Sequence, residues 1–93
     1  ELPDVPTMQE AGFANFEVIA WFGFFVRAGT PKPVIDRLYA VTKKLLDTPE
    51  VKARWTDLGA FAPGETPERT RAFVLAERLK WQQVATAAKI QPE

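Results

Sequence analysis

From Val18 to Val26 the chain reads VIAWFGFFV: nine apolar or glycine residues in a row, three Phe and one Trp among them. A strand with one wet face alternates apolar and polar residues. This run does not alternate. It must be buried on both faces, or a partner outside the chain must bury it. As a strand it would place Trp21 and Phe25 with Gly23 on one side, and Phe22 and Phe24 on the other. Gly23 in mid-strand weakens the strand and marks a bend or a close approach by another backbone.

Ninety-three residues bound the chain to one domain at most. Apolar residues make up 46% and charged residues 26%, so the composition can support a folded core and argues against disorder. Twelve basic and twelve acidic residues cancel. A neutral chain has no electrostatic footprint for nucleic acid or for anionic lipid. The apolar run falls short of the roughly 20 residues that span a bilayer. The opening ELPDVPTMQEAG has no initiator Met and no basic-then-apolar leader, and reads as a segment cut from a longer polypeptide.

Three Thr-Pro pairs punctuate the rest: Thr30-Pro31, Thr48-Pro49 and Thr66-Pro67. Thr suits a helix N-cap and Pro suits the first helical position. Each pair predicts a helix start. The residues that follow the pairs do not match one another, so the spacing is no repeat. The first helix is predicted over 31–46, with Val34, Leu38, Val41 and Leu45 on one stripe and Lys43 and Lys44 in the last turns. The second spans 49–58, with Val51, Trp55 and Leu58 as its apolar face and Gly59 as the residue that closes it. The third spans 67–89, with Phe73, Val74, Trp81, Val84, Ala85 and Ala88 inward. Upstream, Thr7 and Glu10 fit a capping box and Gly12 can end the short turn that they start. The expected strands are 16–26, long, and a short one around Phe61 that Pro63-Gly64 ends. The fold class expected is therefore α/β, with one long strand, one short strand and three main helices. Such a sheet is marginal alone, and its open edges seek partners.

The chemistry that is missing narrows the function. The chain holds no His, no Cys and no Ser, so Ser-His, Cys-His and His-based metal sites are all excluded. No Gly-rich phosphate loop is present. Most acidic residues sit beside Lys or Arg on predicted helices, as in Asp36-Arg37 and Glu77-Arg78, and read as solvated faces. An enzyme is the least favoured class, and no cofactor or metal is expected. Trp21 and Phe22, with Gly23 between the aromatics, are the candidate ligand-binding residues, because aromatic and backbone groups commonly line ligand clefts. Plain core packing is the competing reading for them. Arg27, which ends the run, could receive a carboxylate, but a surface charge that stops the strand is the simpler reading. Trp55 and Trp81 fall at helical spacing with other apolar residues and read as core.

The pieces LPDVPTMQEAG, FEVIAWFGFFVRAGTPKPVIDRL, DTPEVKARWTDLGAFAPGETPE and AERLKWQQVATAAKIQPE, in this order, resemble the C-terminal part of the Bug-type extracytoplasmic solute receptors of tripartite tricarboxylate transporter systems. The resemblance covers essentially the whole chain. It implies a two-lobed fold like that of periplasmic binding proteins, of which this chain would be a partial lobe. Residues 1–16 would be the tail end of the second lobe, 17–27 a hinge-crossing strand, and 28–93 the mainly helical C-terminal part of the first lobe. It implies capture of a small carboxylate-bearing solute by lobe closure in the periplasm, and delivery to a membrane permease. The sequence departs from the family pattern at two places. Arg27 stands where Pro is frequent, and Ala87-Ala88-Lys89 replaces a more usual Ala-Gly ending, a change read as neutral. The alternative is a structural module that self-associates as a homo-oligomer through 16–26, two copies burying each other's apolar runs.

Overall fold

The structure is a computed structural model and describes residues 2–91. The chain divides into two units, one ending at Thr30 and the other beginning at Pro31.

The first unit is a succession of turns. Thr7 and Glu10 form both halves of a capping box: the Thr7 N–H donates to Glu10 Oε2 at 2.9 Å, and the Glu10 N–H donates to Thr7 Oγ1 at 3.1 Å. The turn closes with the paired bonds of a Schellman ending, Phe13 N–H to the Met8 carbonyl at 3.0 Å and Gly12 N–H to the Gln9 carbonyl at 3.1 Å. Gly12 takes φ 100°, which this ending requires. A second turn follows, closed by the Phe16 N–H on the Phe13 carbonyl, with Asn15 at φ 61°. Asn tolerates that region better than most residues. The Phe13 and Phe16 rings meet edge to face at 6.4 Å.

The second unit holds three helices: α1 (Lys32–Leu46), α2 (Pro49–Asp57) and α3 (Pro67–Ala87). The three Thr-Pro pairs do mark their starts, but only one caps as expected. Thr66 Oγ1 accepts from the Arg69 N–H at 3.2 Å and begins α3. Thr30 and Thr48 turn their hydroxyls backward instead, donating to the carbonyls of Arg27 at 2.6 Å and Leu45 at 2.7 Å. The cap of α1 therefore falls on Pro31, whose carbonyl accepts the first helical N–H groups, those of Val34 and Ile35. Gly59 closes α2 at φ 66°, through Ala60 N–H to Trp55 O and Gly59 N–H to Thr56 O. The end of α3 repeats that pattern, Ile90 to Ala85 and Lys89 to Thr86, with Lys89 at φ 56° where glycine is favoured. A residue with a Cβ incurs a conformational cost there.

α1 and α2 pack on each other. Lys43 ties the end of α1 to the loop before α3: its ammonium donates to Asp47 at 3.1 Å and to the Pro63 carbonyl at 3.2 Å. Gly64 sits against it. A Cβ there would lie 2.8 Å from the Lys43 Cδ and would push the lysine stem aside, and φ 62° itself favours glycine.

The expectation of an α/β fold is overturned. Among the described residues there are three helices and no strand. A strand exists only as a pairing, and the run 16–26 has no ladder partner among them. The segment around Phe61 cannot serve. It is short, Pro63 lacks an N–H, and Phe61 is 88% exposed in a loop.

The expected stripe of α1 is corrected as well. Val34, Leu38, Val41 and Leu45 stay exposed, whereas Ile35, Tyr39, Thr42, Lys43 and Leu46 are half-buried. α1 carries two apolar stripes one residue apart, and this chain covers the other one. No described residue is fully buried. The exposed surface is 8973 Å².

Thr66→Ala is expected to destabilise α3 by about 1 kcal/mol, read as lost helicity at 222 nm. Thr48→Ala, which removes no cap bond, is expected to change helicity much less. An equal loss from both substitutions would show that the Thr66 cap does not carry α3's first turn. Lys89→Gly is expected to stabilise the end of α3 by about 1 kcal/mol, seen as slower hydrogen exchange in its last turn. Faster exchange there would contradict the left-handed conformation of Lys89.

Candidate functional site

The residues singled out by sequence lie in the first unit, on the run that follows the turn at Asn15. Its local geometry keeps the two-sided pattern expected of an extended chain. Trp21 and Phe25 flank Gly23: a Cβ on Gly23 would lie 3.0 Å from the Phe25 ring and 3.8 Å from the Trp21 ring. The notch at Gly23 is therefore walled by two aromatic rings, and any side chain would crowd the first of them. Phe22 and Phe24 alternate with these residues and are 98% and 95% exposed. Trp21 is less open, at 37%. So Trp21 and Gly23 are brought together, while Phe22 is on its own, with its ring in solvent. The three do not converge on an enclosed pocket.

The run ends in a turn built on the Arg27 carbonyl. That oxygen accepts from the Thr30 N–H at 3.2 Å and from the Thr30 hydroxyl at 2.6 Å. Gly29 takes φ 84° at the third position of the turn, where a type II turn needs a positive φ. Any anion contact by Arg27 would depend on its side chain, which is exposed.

A shallow hollow opens at the other end of the run, lined by Thr7, Met8, Gln9, Phe16, Glu17 and Val18. Sequence reading did not single these residues out as a group. The capping box at Thr7 was legible. Its placement beside Phe16 depends on the positive φ of Asn15, which no periodicity encodes. A second hollow lies on α3 alone, over Leu79, Gln82, Gln83, Thr86 and Ala87.

The charged groups make surface pairs within helices. Lys32 and Asp36 meet at 2.8 Å, and the hydrogen bond and charge of Asp36 raise the Lys32 ammonium above its usual value. On α3 the Trp81 indole N–H donates to Glu77 at 2.9 Å, and the Lys80 ammonium lies 3.5 Å from the other Glu77 oxygen and 5.4 Å from the Trp81 ring. That carboxylate is already engaged on both oxygens. Among the described residues no group of three or more acidic side chains could hold a metal ion. No helix of the structure is long and apolar enough to cross a membrane. What the arrangement offers is exposed aromatic surface beside a glycine notch: surface that can contact a ligand or another protein.

Comparison with known proteins shows the family. Residues 1–89 match the model of the tripartite tricarboxylate transporter family receptor. The chain is 38% identical over 85 residues to the UPF0065 protein in the tcbD-tcbE intergenic region of Pseudomonas sp. strain P51, covering 90% of this chain and 25% of that protein. It is 36% identical over 84 residues to the UPF0065 protein in the clcB-clcD intergenic region of Pseudomonas knackmussii, covering 89% of this chain and 50% of that one. Protein BugT of Bordetella pertussis is 32% identical over 90 residues, 95% of this chain and 28% of BugT. The chain thus spans a quarter to a half of the length of these relatives. No solved structure matches it. The family match spans residues 1–89, and on that ground the chain belongs to the tripartite tricarboxylate transporter receptor family.

Proposed function

We propose that this chain works as part of a periplasmic solute receptor, which captures a small carboxylate-bearing solute and hands it to the membrane permease of its transporter. The observation that carries this reading is the family match over residues 1–89. Capture proceeds by closure of two lobes, and the ligand drives closure by its better contacts in the closed state. Residues 1–16 belong to the second lobe and 28–93 to the first. The segment 17–27 crosses between them. Gly23 supports that role, since a residue without a Cβ, set between two rings, can absorb a change of backbone angle. Trp21 and Phe22 form part of the cleft wall, with Gly23 letting solute approach the backbone. The exposure of Phe22 supports this, because its ring is available to be covered. The principal carboxylate grip lies outside these residues. This reading assigns no catalytic step to any residue here.

The test is a thermal-shift screen of a full-length receptor that carries this sequence, against small mono-, di- and tricarboxylates, with the 93-residue chain run beside it. A ligand that binds only the folded form stabilises it by about 2.7 kcal/mol at a hundred times Kd. A shift for the full receptor and none for the chain alone is the expected result. No shift of the full receptor with any carboxylate would overturn the reading.

A further inference from the structure

The stripe Val34, Leu38, Val41, Leu45 on α1 is left open by this chain, at 46%, 49%, 52% and 56% exposure. Its spacing of four, three and four is that of a heptad seam, with Val at the two d positions and Leu at the two a positions. Arg37 and Lys44 occupy the flanking g positions. Continuous apolar seams of this kind on a helix are interfaces, not random exposure.

We infer that this seam is the docking surface for the remaining polypeptide of a family receptor, which presents an apolar stripe edged by acidic side chains. The inference rests on the receptor reading above. Coverage and charge choose that occupant. The chain covers 25% and 28% of two relatives that it matches over at least nine-tenths of its own length. Arg37 and Lys44 beside the seam call for acidic side chains opposite them. A second copy fits the seam poorly. Antiparallel pairing matches each Val with a Leu but sets Arg37 against Lys44 of the other copy, and like charges across an interface are costly. Parallel pairing puts Leu at a and the β-branched residue at d, the reverse of what two-stranded coils favour.

The chain has no cysteine, so a single introduced thiol reports on its own surroundings. Val41→Cys, on the seam, and Lys52→Cys, on the exposed surface of α2, would be labelled with a maleimide in two settings. One is the chain alone. The other is the chain grafted into Bordetella BugT in place of the 90 residues that it matches, with background subtracted using the graft without an added cysteine. The expected result is at least tenfold slower labelling of Val41→Cys in the graft, with Lys52→Cys within twofold. Equal labelling of Val41→Cys in a graft that melts cooperatively would overturn the inference. So would protection that grows with concentration in the isolated chain, with a dimer's mass by sedimentation, because the occupant would then be a second copy. Should the graft fail to melt cooperatively, the isolated chain decides. Leu38→Gln with Val41→Gln should leave its helicity unchanged, and Ile35→Gln with Tyr39→Gln should lower it. The opposite pattern would mean that the seam is already used inside this chain. Neither readout involves a solute, so failure to bind any carboxylate would leave this test standing.

Discussion

Apolar surface must leave water for a chain to hold together, and each unit here has more of it than it can cover. The nine residues Val18–Val26 offer aromatic and branched side chains to both sides, and no strand pairs with them among the described residues. Burying one such side chain is worth roughly 1.5–3 kcal/mol. With no described residue fully buried, most of that stabilisation is unrealised. The consequence is architectural. A segment that could be a strand is not one, because a strand is a relation between two segments and the second is absent.

What the chain does supply for itself is local. The capping box at Thr7 and Glu10, the cap at Thr66 and the left-handed endings at Gly12, Gly59 and Lys89 close between residues within five positions of one another. None needs a distant partner. Each satisfies backbone groups that a helix end leaves orphaned. The Lys43 tether to Pro63 is the longest reach described, twenty residues, and it works because Gly64 lets the backbone come close to the lysine stem. The helices therefore persist on caps and one tether, with partial cover from packing.

That division explains which parts of the fold were legible in the sequence. Helix positions were, to within two residues at each end, because Thr-Pro pairs and closing glycines act locally. The α/β assignment failed because it relied on a partner strand that is not found among the described residues. The α1 stripe failed for a related reason. Two stripes offset by one residue are both apolar, and periodicity cannot tell which faces this chain and which faces another segment. Capping by Thr30 and Thr48 failed on a subtler point, since a hydroxyl beside a preceding carbonyl can donate backward. The two-sided arrangement of Trp21, Gly23 and Phe25 was legible because alternation follows from backbone geometry alone. The hollow at Thr7–Gln9 was not, because a single left-handed Asn sets it.

A receptor that closes on a solute needs surfaces of two kinds, and this chain carries candidates for both. One kind is covered permanently, and its fit can be strongly apolar and flanked by fixed charge, as on α1. The other is covered and uncovered in each cycle, and must not be so apolar that closure becomes irreversible. Phe22 and Phe24 are more exposed than the α1 seam, yet they lie on the segment proposed to cross between lobes. Full burial of both in one state alone would bias closure by several kcal/mol. A ligand shifts a two-state equilibrium only by its own differential affinity, and about 5.5 kcal/mol takes it from one extreme to the other. On the proposed reading, a solute can control closure only if the two rings do not both change from exposed to buried in the same step.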